Sequence, residues 1–174
     1  VSLPELVLIG LVDPKSPTNV GAVLRAAGCY QANAVRFTGD RYLRAASFQT
    51  DTKNVVAQLP LEPVADLLED LPTDIRVVCV EMVEGAVALP GYQHPPRALY
   101  VFGPEDGTLA QALIDRADDV IYVPTEGCMN LAASVNVVLY DRLAKGERAA
   151  GDADQLRRTR DTNNRVRVRT PGKR

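Results

Sequence analysis

The sequence predicts an α/β domain: a mainly parallel sheet with helices on both faces. Two continuous apolar runs, "ELVLIGLVD" (5–13) and "IRVVCVEM" (75–82), read as strands buried on both sides. Segments with apolar residues at helical spacing separate such runs, the alternation that builds a parallel sheet. Turn residues punctuate the boundaries, as in "PKSPTN" after the first run. With 174 residues, 46% hydrophobic and 24% charged, the chain has the size and composition of one ordinary globular domain.

The elements follow in order. After strand 5–13 comes a helix with Asn19 as its expected N-cap, because Val20, Val23, Leu24 and Ala27 recur on one face. "NAVRFTG" (33–39) is the next strand, and 41–54 is polar and mixed, either helix or ordered loop. "PVADLLEDL" (63–71) reads as a helix with proline near its start. Strands 75–82 and 97–103, helix 108–117, strand 119–124 and helix 129–144 complete the domain. The last helix is apolar almost all round, with Ala132, Ala133 and Ser134 together, so burial on more than one side is expected. A second subunit is a natural source of that second side.

Composition excludes several classes of function. No apolar run is long enough to span a bilayer, and Glu5 interrupts any signal-peptide layout, so the expected address is the cytoplasm, with no membrane partner. Cys29, Cys79 and Cys128 are widely spaced and the single histidine, His94, lies among prolines, which argues against a metal site, a disulfide framework or a Ser-His-Asp hydrolase. Charge is uneven. Residues 151–174 hold 8 of the 20 Lys and Arg but 3 of the 22 Asp and Glu, giving a tail of +5 on a body of −7. A basic tail is a footprint of nucleic-acid contact or a solvated terminus.

Neither a G-x-G-x-x-G after a strand nor a G-x-x-x-x-G-K-[ST] loop occurs. Three other segments sit where strands end and helices begin, the ligand-binding edge of open α/β sheets. They are "NVGAVLR" (19–25), "VFGPEDGTL" (101–109) and "YVPTEGCMN" (122–130). Gly103, Gly107 and Gly127 permit close backbone approach there, though each is singly an ordinary turn residue.

Taken together, N-x-G-x-x-x-R, F-G-P-E-x-x-G and V-P-x-x-G followed by M-N-L, in that order, resemble the SpoU/TrmH branch of the SPOUT RNA methyltransferases. The resemblance runs to about residue 145, so residues 1–148 form the expected SPOUT domain and 149–174 a basic tail. It implies a C-terminal trefoil knot, an exception to unknotted topology, a homodimer, and S-adenosylmethionine as cofactor. By matched position, Val80, Gly103, Val123, Cys128 and Met129 would cup that cofactor, and Asn19, Arg25, Glu105 and Asn130 would form the catalytic group. A guanidinium with a pKa above about 12 makes a poor general base, so Arg25 is assigned to clamping a phosphate, with Gly21 leaving room beside it. Asn19 and Glu105 would brace the loops.

The implied activity is methylation of a ribose 2′-hydroxyl of RNA, tRNA before rRNA because the domain is minimal. Arg41, Arg44 and Lys53 in the body and Arg157, Arg158 and Arg160 in the tail are the expected RNA contacts. Two departures stand out: Cys128 replaces the family's serine, and the loop between Pro124 and Asn130 is short. They keep open an RNA-binding module without turnover, and a base-directed knotted methyltransferase is the other alternative.

Overall fold

The strand Arg97–Phe102 sits at the middle of the sheet and divides the protein into two cores. Its Ala98, Tyr100 and Phe102 pack to one side while Leu99 and Val101 pack to the other, all five buried. In the computed structural model, residues 4–47, 59–146, 151 and 153–168 are described. Chain order is β1 (Leu6–Leu11), α1 (Pro17–Cys29), β2 (Ala34–Phe37), α2 (Arg41–Ala46), β3 (Leu61–Pro63), β4 (Arg76–Val80), β5 (Val87–Ala88), β6 (Arg97–Phe102), α3 (Gln111–Ile114), β7 (Asp119–Tyr122), α4 (Leu131–Lys145) and α5 (Ala153–Thr159). The strands form one seven-stranded sheet in the order β3-β2-β1-β6-β4-β7-β5, and every pairing is parallel. Helices α1 and α4 lie together on the face formed by Ile9, Leu11, Val35 and Tyr100. Leu67, Leu109 and the flank of α3 cover Val77, Cys79, Leu99 and Val101 on the other.

Several elements differ from the sequence expectation. Helix α1 begins three residues early: Pro17 occupies its first turn, where no N–H is missed, and Ser16 is the N-cap, its hydroxyl accepting the Asn19 N–H at 3.3 Å. The helix expected at 63–71 is absent. Its Pro63 closes β3 at the sheet edge, where a proline costs no ladder bond, and Asp70 takes φ +53° in a turn. The helix of 108–117 shortens to the single turn α3, and 41–54 resolves to α2 at its start. The two-residue strand β5 had no readable signal.

Helix α4 buries Leu131, Ala132, Val135, Val138 and Leu139, whereas Ala133, Asn136 and Tyr140 face out. Tyr140 is 60% exposed. The second covered side that the composition suggested is therefore open in the single chain.

His94, in the loop before β6, has a buried side chain with both ring nitrogens bonded. Its Nε2 lies 2.8 Å from Asp141 Oδ2 and its Nδ1 2.7 Å from the Tyr100 hydroxyl. A carboxylate only accepts, so Nε2 carries the proton and Nδ1 accepts from Tyr100, whose oxygen accepts in turn from Arg142 at 3.2 Å. Lys145 joins Asp141 at 2.7 Å and donates to the carbonyls of Leu89 and Tyr92. The network ties the end of α4 to loop 89–96 at the edge of the sheet where the strands begin.

Burial lowers the His94 pKa below its ordinary 6.5, with the Asp141 contact opposing. The unfolded chain then binds the extra proton first, so stability falls as pH drops below about 6.5. Urea unfolding between pH 7.5 and 5 should show this slope, and His94→Gln should reduce it while lowering stability at pH 7.5. An unchanged slope in the variant would assign the pH dependence elsewhere.

Candidate functional site

Three strand-end loops converge at the carboxyl edge of the sheet. The first leaves β1 through Asp13, at φ +41°, and enters α1. It is held against the end of β2 by Gly39, at φ +78°, where a Cβ would fall 2.0 Å from Asp13 Oδ1. Only glycine permits that approach. The second loop leaves β6 through Gly103 and Pro104, and the third runs from β7 into α4.

Glu105 ties the first two loops together. Its oxygens accept from the backbone N–H of Lys15 at 2.9 Å and of Ser16 at 3.0 Å, and from Asn19 Nδ2 at 3.2 Å. Because Glu105 can only accept, the Asn19 amide must present its NH2 there and turn its Oδ1 away. That oxygen accepts from Asn130 Nδ2 at 3.0 Å. Asn130 Oδ1 is left to cap α4, accepting from Ala132 N at 2.9 Å and Ala133 N at 3.4 Å. The directional chain Asn130→Asn19→Glu105 thus joins all three loops. Burial pushes the Glu105 carboxyl up, but the N–H groups of Ser16, Glu105 itself and Lys15, with the Asn19 amide, outweigh it and hold the group below the usual range. A carboxylate so engaged is a brace and a weak proton acceptor.

Asn130, and not Asn136 further along α4, meets this chain. Asn136 is spent on the Ala132 carbonyl within α4, at 2.9 Å.

Arg25 does not join the trio. Six residues beyond Asn19, it stands about 9 Å along the axis and about 240° around it. It is exposed, does not line the cleft, and makes no ion pair or hydrogen bond with the described residues. With Thr18, Ala22 and Cys29 it forms an exposed stripe along α1 at helical spacing.

The five residues expected at the cofactor, Val80, Gly103, Val123, Cys128 and Met129, line one cleft between the ends of β4, β6 and β7. Glu81, Met82, Tyr122 and Leu131 line it too. Gly127 adopts φ +100° in the third loop, a conformation that disfavours any side chain there. Sequence reasoning missed Glu81. Its signal was a charged residue at the carboxyl end of a buried strand, where ligands bind open sheets. The Glu81 Oε2 accepts from Leu109 N at 2.9 Å and so fixes the far end of the second loop.

The expected RNA contacts fare unevenly. Arg41 is occupied: its Nη atoms lie 3.0 and 2.9 Å from Asp106 Oδ1, and its Nε 3.5 Å from Asp13. Asp106 hydrogen bonding raises the Arg41 pKa, desolvation opposing, and that same bond lowers the Asp106 carboxyl. Arg41 is therefore a strut between the first two loops rather than a free cation. Arg44 pairs with Asp40 at 2.8 Å on the exposed side of α2. Lys53 lies outside the described residues. In the tail, Arg157 pairs with Asp154 on α5, while Arg158 and Arg160 pair with no described acid. Among the described residues no group of His, Cys, Asp or Glu could hold a metal ion.

Comparison with known proteins gives the family of this fold. Residues 6–140 match the model of the SpoU rRNA Methylase family, and the chain belongs to that family. Among solved structures, the AdoMet-bound rRNA methyltransferase of Sinorhizobium meliloti superposes with a TM-score of 0.66 at 19% identity, covering 81% of this chain and 57% of that one. The SpoU methyltransferase AviRb of Streptomyces viridochromogenes, in complex with AdoMet, gives 0.67 at 19%, covering 87% and 61%. A structure describing 2-OH methylation of C/U34 on tRNA gives 0.66 at 22%, covering 83% and 92%. The chain thus spans about three-fifths of the length of the first two. No curated protein matches it.

Asn130 is both cap and link, so Asn130→Ala should cost about 1–2 kcal/mol, a lost N-cap plus an unpaired Asn19 Oδ1. Asn130→Asp should keep the cap yet lose the donor to Asn19. Chemical denaturation of both variants checks this ordering, Asp lying between Ala and the parent.

Proposed function

We propose that this protein transfers the methyl group of S-adenosylmethionine to a ribose 2′-hydroxyl of RNA, tRNA in preference to rRNA. The observation that carries the reading is one cleft lined by the second and third motif-bearing loops, to which Glu105, Asn19 and Asn130 stitch the first. The AdoMet-bound relatives support the cofactor, and the likeness to the tRNA 2-OH methylation structure over 92% of its chain supports the substrate.

The cleft suits the cofactor chemically. Val80, Val123, Met129 and Leu131 offer apolar walls for an adenine ring, and Gly103 keeps the floor free of side chain. Glu81 and Glu105 line the cleft and would favour a ligand that bears positive charge. When bound, S-adenosylmethionine supplies an electrophilic methyl group on sulfur. Glu105 and Asn130 keep their loops in register, and Asn19 relays one to the other. Arg25 clamps the phosphate beside the target ribose by a bidentate contact.

Arg25 lies away from the cleft of its own chain, and the exposed stripe Thr18–Ala22–Arg25–Cys29 adjoins the open face of α4, since α1 and α4 pack together. A second copy covering this small-residue surface gives a homodimer with Arg25 at its interface. The path of β7 outside β4 and the return of α4 beside α1 support a C-terminal trefoil knot. The shortened loop and Cys128 favour, as second reading, an RNA-binding module without turnover. Mass spectrometry of digested RNA after incubation with cofactor decides among ribose methylation, base methylation and none.

Arg25→Ala should reduce methylation on the order of a thousandfold at saturating RNA, with cofactor affinity unchanged in calorimetry. Near-normal turnover would return Arg25 to solvated surface. Truncation after Gly151 should instead weaken RNA binding and flatten its salt dependence, turnover at saturation surviving. Light scattering should show a dimer at micromolar concentration, and a stable monomer there would remove the interface from this account.

A further inference from the structure

We infer that Glu81 makes the cleft discriminate by charge between the methyl donor and its demethylated product, retaining the first and releasing the second. The inference rests on the cofactor reading above and concerns a residue to which that reading gives no part beyond its charge. The charged side chains lining the cleft are Glu81 and Glu105, and neither Lys, Arg nor His lines it. Glu105 is committed to the first loop by three hydrogen bonds. Glu81 has no cationic partner among the described residues. Its Oε2 accepts from Leu109 N at 2.9 Å and its Oε1 from Met82 N at 3.1 Å, both neutral backbone donors.

The carboxylate is also fixed in place. The Glu81 N–H donates to the Ile121 carbonyl at 2.9 Å, tying the residue to the end of β7. A Cβ on Gly103 would lie 3.4 Å from Glu81 Oε2, so the glycine brings the end of β6 against the carboxylate. An un-neutralised negative charge is thereby held where the three strands end.

S-adenosylmethionine carries a sulfonium, an ammonium and a carboxylate, a net charge of +1, whereas S-adenosylhomocysteine, with a neutral sulfide, carries none. In a partly solvated cleft, one unit of ligand charge facing a lining carboxylate would be worth on the order of tenfold in affinity. The cleft therefore favours the donor by charge, and product loss follows from the same interaction that holds the substrate.

Calorimetry on the full chain tests this with three probes: S-adenosylmethionine, S-adenosylhomocysteine and sinefungin, an unreactive analogue that keeps a positive charge at the methyl position. The parent should bind both cationic ligands about tenfold more tightly than the neutral one. Glu81→Gln keeps an acceptor for Leu109 but removes the charge. It should weaken both cationic ligands about tenfold and leave the neutral ligand unchanged. Glu81→Asp keeps the charge and should keep the preference. Equal binding of all three by the parent, or equal loss of all three in Glu81→Gln, overturns the inference while leaving the cofactor reading intact. No binding of any ligand by the parent overturns both. If Glu81→Gln does not fold, the parent's ranking and Glu81→Asp decide the matter.

Discussion

The site depends on one carboxylate that reaches back across about ninety residues of chain. Glu105 gathers two backbone N–H groups and an amide from the loop that follows β1. Parallel strands place the ends of β1 and β6 side by side, since Leu11 pairs with Phe102, but adjacency alone leaves two loops free to choose their conformations. The carboxylate removes that freedom. It satisfies N–H groups before and at the start of α1 that the helix cannot, and its negative charge lies near the positive end of the helix. Every further contact inherits this geometry. Asn19 is oriented by Glu105, Asn130 by Asn19, and the start of α4 by Asn130. Arg41 and Asp106 repeat the same junction one residue along.

Much of this was legible in the sequence because it is written in local pattern. Apolar runs gave β1, β4 and β6, and helical spacing gave α1 and α4. The ordered motifs drew attention to Glu105, Asn19 and Asn130. What escaped was decided by tertiary partners. Asn19 is a good N-cap residue by type, yet Ser16 caps the helix, because Pro17 suits its first turn and Glu105 claims the Asn19 amide. Pro63 fits a helix start or a sheet edge equally well, and pairing of Val35 with Leu61 chose the edge. Arg41 looked like an RNA contact by charge alone. Only the fold could bring Asp106, 65 residues away, within 2.9 Å.

The two edges of the sheet handle polar burial differently. At the edge where strands begin, His94, Tyr100, Asp141, Arg142 and Lys145 form a closed set in which donors meet acceptors. Desolvation pushes the Tyr100 hydroxyl up to about 12, so it stays protonated as the donor that His94 requires. A satisfied network of this kind is rigid and specifies one packing of α4. At the opposite edge, Glu81 and Glu105 face a cleft, and their bonds are to backbone N–H groups or an amide rather than to cations. The same helix α4 therefore has its end locked and its beginning poised at the site.

Charge then divides the tasks. A body of −7 repels a polyanion, and a cleft lined by carboxylates repels phosphate in particular. Lys15 in the first loop and Arg41 on α2 are offset by Asp106 and Asp13. In the proposed reaction, RNA is consequently drawn by the +5 tail, which would hold phosphates without regard to sequence, and is positioned by Arg25, the cation on α1 that pairs with no acid among the described residues. Placing attraction outside the cleft and negative charge within it lets one surface hold a polyanion while the neighbouring pocket keeps a cation. A cleft lined with lysine would gain RNA affinity, lose the donor, and hold its product.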